Sequence, residues 1–84
     1  MFYVYGLRSS GNGRIYIGQT KDVSKRIERH NMGYVRSTRN DRPWELISLE
    51  EVRSADEARW IENGLKSSKG KRMKWLELNR INVN

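Results

Sequence analysis

Phe2-Tyr3-Val4-Tyr5-Gly6-Leu7, then Ser9-Ser10-Gly11-Asn12-Gly13, then Arg14-Ile15-Tyr16-Ile17-Gly18, carry the pattern of two strands joined by a turn. The first segment is β-branched and aromatic, the composition of a strand. The middle segment is a cluster of turn residues, in which Asn12-Gly13 is the favoured pair for a tight hairpin. In the returning strand the period of two sends Ile15 and Ile17 to one face and Tyr16 to the other. An antiparallel hairpin therefore opens the chain.

Beyond the hairpin, Asp22 is placed to cap a helix whose Val23, Ile27 and His30 fall at i, i+4 and i+7 on one stripe, with Arg26 at its border. Met32-Gly33 ends that helix. A polar loop over 33–43 carries Arg36, Arg39 and Arg42 and closes at Pro43. Trp44 to Val52, with Leu46, Ile47 and Leu49, reads as a third strand. Ser54-x-x-Glu57 is a capping box that opens a second helix. Gly64 weakens this helix without ending it. Lys69 to Leu78 reads as a short last helix, with Gly70 counting against an early start. The pattern is α+β: a three-stranded antiparallel sheet flanked by helices.

At 84 residues the chain makes one domain, 1–84, with roughly 60% of its unfolded surface buried on folding. The absence of cysteine excludes disulfide staples, thiolate metal sites and cysteine nucleophiles. No apolar run approaches a membrane span and no signal peptide is visible, so a soluble, cytoplasmic protein is expected. The net charge of +7 is unevenly spread: +2 over 1–18, +4 over 19–43, −4 over 44–62 and +5 over 63–84. Two basic blocks with interleaved aromatics (Tyr34, Trp44, Trp75) suit a polyphosphate partner, since each contacted phosphate releases counterions. A solvated basic surface fits the charge as well, as do an anionic membrane or ribosomal RNA.

The second helix holds one anomaly. At 100° per residue Glu62 lies about 40° from Ala58, inside the apolar stripe formed with Ala55, Ile61 and Leu65. A carboxylate facing the sheet must be paired, hydrogen-bonded or bound to a metal. Arg26 is the arginine best placed to pair it, and such a pair leaves room for a metal when substrate arrives. Trp60 falls on the opposite face, either packed on the C-terminal segment or exposed.

The series Tyr3-Val4-Tyr5, Ile15-Tyr16-Ile17-Gly18-Gln19-Thr20, Arg26-x-x-x-His30, Arg42-Pro43-Trp44 and Glu62-x-x-Leu65-Lys66 resembles the GIY-YIG nuclease superfamily over about residues 2–78. It is most similar to the short stand-alone bacterial domains related to the nuclease module of the excinuclease C subunit. The resemblance implies a sheet-face active site and one divalent metal, Mg²⁺ or Mn²⁺. It also implies roles: Tyr5 and Tyr16 as the motif tyrosines, Tyr5 the general base; Arg26 and His30 on the first helix; Glu62 as metal ligand. The first motif reads Val4-Tyr5-Gly6 in place of Gly-Ile-Tyr but keeps its tyrosine. The late asparagine of larger members has three candidate counterparts here, Asn79, Lys66 and Lys74.

Chemistry suits those residue types. A hard cation on one carboxylate, keeping several waters, is typical of Mg²⁺ and acts as a Lewis acid on phosphate. Arg26 offers a planar fork for phosphate oxygens. A tyrosine, with reference pKa about 10, becomes a useful base only where nearby cations lower it. The expected function is metal-dependent endonuclease cleavage of DNA, alternatively a non-catalytic nucleic-acid-binding module in a repair or ribosomal complex. Arg36, Arg39, Arg42, Lys66, Lys69, Lys71, Arg72 and Lys74 are the expected nucleic-acid contacts, and a partner protein or DNA shape would supply selectivity. Each tyrosine alone also fits an ordinary strand aromatic, and His30 an ordinary hydrogen-bonded core histidine.

Overall fold

The structure, a computed structural model, describes residues 1–81; residues 82–84 of the expected domain lie outside the described residues. Strands β1 (Phe2–Ser9), β2 (Ile15–Thr20) and β3 (Trp44–Val52) form one antiparallel sheet in the order β2-β1-β3. Helix α1 (Val23–Met32) follows β2, and α2 (Ala55–Ser67) and α3 (Lys69–Leu78) follow β3. The expected α+β architecture is the one found.

The hairpin differs in its turn. Ser9 N–H donates to the Arg14 carbonyl, so residues 10–13 form a four-residue loop, and of the Asn12-Gly13 pair only Gly13 has positive φ, at 75°. A two-residue turn of the favoured type needs positive φ at both positions. Instead the Ser9 hydroxyl accepts from Gly11 N and Asn12 N and organises the wider loop.

Alternation puts apolar residues on both faces of the sheet, and both faces are covered. Val4, Ile17 and Val52 pack against Ala58 and Leu65 of α2 and Trp75 and Leu76 of α3. Tyr5, Leu7 and Trp44 form the other layer, with Tyr16, Ile27 of α1, Leu46 and Leu49 against them. Leu46 and Leu49 share a face despite their odd spacing because the β1–β3 register shifts between Gly6 and Leu7. That bulge places Ile47 in the opposite layer. Each buried aliphatic side chain contributes roughly 1.5–3 kcal/mol.

Helix boundaries follow their caps. Asp22 accepts from Lys25 N, Ser54 from Glu57 N and Ser68 from Lys71 N. Gly33, in the left-handed conformation, ends α1. The Ser68 cap explains why α3 starts at Lys69 despite Gly70, which falls in the first turn. The 33–43 segment is a loop containing one 3-10 turn, Arg39–Asp41. It is pinned to the hairpin by Asp41, which accepts from Arg14 Nη1 at 2.6 Å and Asn12 Nδ2 at 2.8 Å.

Candidate active site

Strand pairing brings the two motif tyrosines together. Tyr5 lies opposite Gly18 and Leu7 opposite Tyr16, so Tyr5 and Tyr16 share a face, their ring centroids 6.2 Å apart. The Tyr5 ring crosses directly over Gly18: a Cβ there would fall 2.5 Å from the tyrosine oxygen. The second motif thus needs its glycine to make room for the tyrosine of the first.

Helix α1 lays Arg26 and His30, one turn apart, over this face. Arg26 Nε donates to Tyr5 Oη at 3.2 Å, and Tyr5 Oη is 3.0 Å from His30 Nε2. On its other side His30 Nδ1 is 2.8 Å from the Thr38 hydroxyl. Tyr16 abuts the same imidazole edge-on, with centroids 4.8 Å apart. Tyr5, His30 and Thr38 are fully buried, whereas Tyr16 is half-buried.

Burial dominates the electrostatics. It pushes the Tyr5 hydroxyl up to about 12, overriding the hydrogen bond from Arg26 that works in the opposite direction. The expectation that neighbouring cations lower this tyrosine does not hold in the free protein. Burial, with a smaller contribution from the Arg26 charge, depresses His30 from 6.5 to about 4. Arg26 is itself raised, chiefly by its hydrogen bond to Tyr5.

The His30 shift has a consequence for stability. Between pH 6.5 and about 4 the unfolded chain binds a proton at this histidine that the folded chain refuses. This contribution to stability is fully present above pH 6.5 and is lost as pH falls toward 4. Thermal melts across that window should show the melting temperature falling with pH, and His30→Gln should flatten the fall. An identical pH dependence in both proteins would contradict a buried neutral His30.

Glu62 reaches the same place from α2. Its carboxylate is only 16% exposed and pairs with Lys66 Nζ at 2.6 Å, and that ammonium lies 5.6 Å from the Tyr16 ring centroid. The pairing with Arg26 expected from the sequence is not formed. Arg26 is committed to Tyr5, and Lys66, one turn along the same helix, meets Glu62 at i,i+4. Of the three candidates for the late asparagine, Lys66 sits at the cluster. Asn79 turns its side-chain amide to the Trp75 carbonyl, at 3.1 Å, at the end of α3.

Among the described residues no group of three or more His, Cys, Asp or Glu converges on one point. A single hard carboxylate beside the tyrosines suits Mg²⁺, which binds proteins through one or two carboxylates and takes its other ligands from water and phosphate. The donor chemistry therefore fits one Mg²⁺ or Mn²⁺ on Glu62.

The expected basic residues divide. Lys66, Lys69 and Arg72 line a groove beside Tyr16, together with Arg14 and Ser37. Arg72 also donates to the Leu65 carbonyl. Lys71 and Lys74 are exposed on α3 outside that lining, and Arg36 and Arg39 are exposed on the 33–43 loop. Arg42 folds back, its Nε donating to the Arg39 carbonyl at 2.6 Å. Of the aromatics expected to interleave with charge, Tyr34 is exposed, but Trp44 and Trp75 belong to the core. Trp60 is exposed.

The family described as the GIY-YIG catalytic domain matches residues 1–75. The chain belongs to the GIY-YIG family. Among solved structures it is similar to the NMR solution structure of a UPF0213 protein from Bacillus halodurans. That likeness has 33% identity and a TM-score of 0.58, covering 93% of this chain and 85% of that one. No curated protein matches. Membership makes this a nuclease-family domain. In GIY-YIG terms, the Tyr5–His30 and Arg26–Tyr5 hydrogen bonds join the first motif strand to the first helix, Tyr16 of the second motif packs its ring on His30, and Glu62 approaches from the second helix. Sequence reading missed Thr38 and Arg14. A threonine in a polar loop carries no sign that it is buried; Arg14 follows a turn, where a basic residue is unremarkable.

Proposed function

We propose that this GIY-YIG domain is an Mg²⁺- or Mn²⁺-dependent endonuclease acting on DNA. The observation that carries the reading is the continuous run Arg26–Tyr5–His30–Thr38 with Glu62 beside it. A metal on Glu62 would act as a Lewis acid on the phosphate and its leaving oxygen. Arg26 would present its terminal nitrogens to phosphate oxygens.

Tyr5 is the group that takes the proton of the attacking water. Because its hydroxyl is held protonated, it cannot wait as a phenolate. It gives its own proton to the neutral His30 Nε2 as it accepts one from water. The water oxygen bonds to phosphorus, the bond to the leaving oxygen breaks, and solvent protonates that oxygen. Tyr5 has no accessible surface in the free protein, so Arg26 must leave its oxygen on taking phosphate. Tyr16 orients water or phosphate at the rim. The direct test is supercoiled plasmid with the purified chain: nicking in Mg²⁺ or Mn²⁺ that stops in EDTA is expected. DNA binding without nicking would return the non-catalytic binding module.

DNA would run over the arginine-bearing loop and the groove at Tyr16, held through its backbone. Replacing Arg36, Arg39 and Arg42 with alanine should weaken binding to all sequences alike. The slope of log K against log salt should fall by about 1 for each phosphate no longer neutralised. Arg36 and Arg39 should account for most of this, since the Arg42 Nε is already bound to the Arg39 carbonyl. An unchanged slope in a salt titration would move the track to the 69–74 segment. Substrate selectivity is assigned to DNA shape or to a partner protein, and DNA repair in the cytoplasm is the setting such an activity suits.

A further inference from the structure

The hydrogens of the buried cluster can be counted. Neutral imidazole has one N–H and one lone pair, and a hydroxyl has one hydrogen to donate. If His30 carried its hydrogen on Nε2, Tyr5 Oη would accept from both Arg26 Nε and His30, and the Tyr5 hydrogen would have no acceptor. In a fully buried tyrosine an unpaired donor costs about 1–3 kcal/mol. With the hydrogen on Nδ1, every donor is used. Arg26 donates to Tyr5, Tyr5 to His30 Nε2, His30 Nδ1 to the Thr38 oxygen, and Thr38 to the Val35 carbonyl at 3.3 Å.

Thr38 is held for this task. Its residue is fully buried, Trp44 Nε1 donates to its carbonyl at 2.8 Å, and its own N–H bonds to Val35 O at 3.1 Å. The hydroxyl is therefore fixed from the backbone side before it meets the imidazole. Trp44 in turn is anchored by Asn31 of α1, whose Oδ1 accepts from Trp44 N at 2.6 Å and whose Nδ2 donates to Trp44 O at 3.1 Å.

We infer that Thr38 is a positioning residue that fixes His30 in its Nδ1–H form, so that Nε2 presents a lone pair to the Tyr5 hydroxyl. The effect on cleavage rests on the nuclease function proposed above; the effect on the imidazole does not. Thr38 touches no reacting atom. It acts by deciding which way the Tyr5 proton can travel: toward His30, freeing the phenol oxygen to receive a proton from water.

The test is nitrogen-15 NMR of His30 at neutral pH in the wild type, Thr38→Val and Thr38→Ser, paired with single-turnover plasmid cleavage. In the wild type Nδ1 should carry the hydrogen and Nε2 the lone pair. Thr38→Val keeps the shape but removes the acceptor, and should move His30 toward the Nε2–H form. Its cleavage should fall roughly 10–100-fold, the cost seen when a hydrogen-bond partner that orients a metal-bound histidine is removed. Thr38→Ser should restore both readings. A wild-type His30 protonated on Nε2 overturns the inference whether or not the valine variant folds, as does a valine variant with an unchanged tautomer. A wild type with the Nδ1–H form and no cleavage would instead leave Thr38's hold on His30 standing and fail the nuclease reading.

Discussion

Glu62→Gln is expected to eliminate most nicking while leaving the fold and DNA binding nearly unchanged. The substitution keeps the shape of the side chain and removes the charge proposed to hold a metal at the tyrosine cluster. The several kcal/mol a Lewis-acid metal supplies corresponds to a loss of roughly 10²–10³-fold or more. The structural cost is small. Glu62 and Lys66 form an i,i+4 pair with Lys66 largely exposed, a type of contact worth about 0.3–0.5 kcal/mol. Plasmid nicking in Mg²⁺, thermal melting and a DNA-binding isotherm on the same preparation separate these effects. Wild-type nicking by a folded Glu62→Gln protein would remove the metal from Glu62.

Tyr5→Phe should cost about 10²–10⁴-fold in single-turnover rate, the range for loss of a general acid–base group. Tyr16→Phe should cost less, because it keeps the ring that packs between His30 and Trp44 and under Lys66. The two variants differ in stability as well. Removing the Tyr5 hydroxyl leaves Arg26 Nε and His30 Nε2 without their partner, so about 1–3 kcal/mol of destabilisation accompanies the loss of rate. Rates must therefore be measured well below the melting temperature. An unaffected Tyr5→Phe beside an inactive Tyr16→Phe would exchange the two roles.

The sheet was legible because its signals are local: β-branched residues, a glycine-rich turn, and a strict alternation at Ile15-Tyr16-Ile17. Glu62 was legible for a similar reason, since helical geometry alone places it within the apolar stripe with Ala58 and Leu65. Its partner is set by the helix and not by the charge pattern: Lys66, four residues on, meets it within one turn, whereas Arg26 is bound to Tyr5. The face of Tyr5 is not set by its own segment, where Phe2, Tyr3, Val4 and Tyr5 place aromatic residues on both faces; pairing with Gly18 sets it. The raised hydroxyl of Tyr5 was hidden for a deeper reason. Counting nearby cations suggests a lowered value, whereas the sign depends on burial, which belongs to the assembled fold. Thr38 is the clearest case. Nothing in Arg36-Ser37-Thr38-Arg39 separates a buried hydroxyl from its exposed neighbours until α1 and Trp44 close over it.

A double-mutant cycle on Tyr5 and His30, read as single-turnover cleavage in Mg²⁺, separates one shared proton path from two independent roles. If the two act as one proton path, Tyr5→Phe and His30→Gln each break it, and the double variant should cleave no more slowly than the slower single variant. Losses that multiply, with the double variant slower by the product of the two single effects, would contradict a shared path.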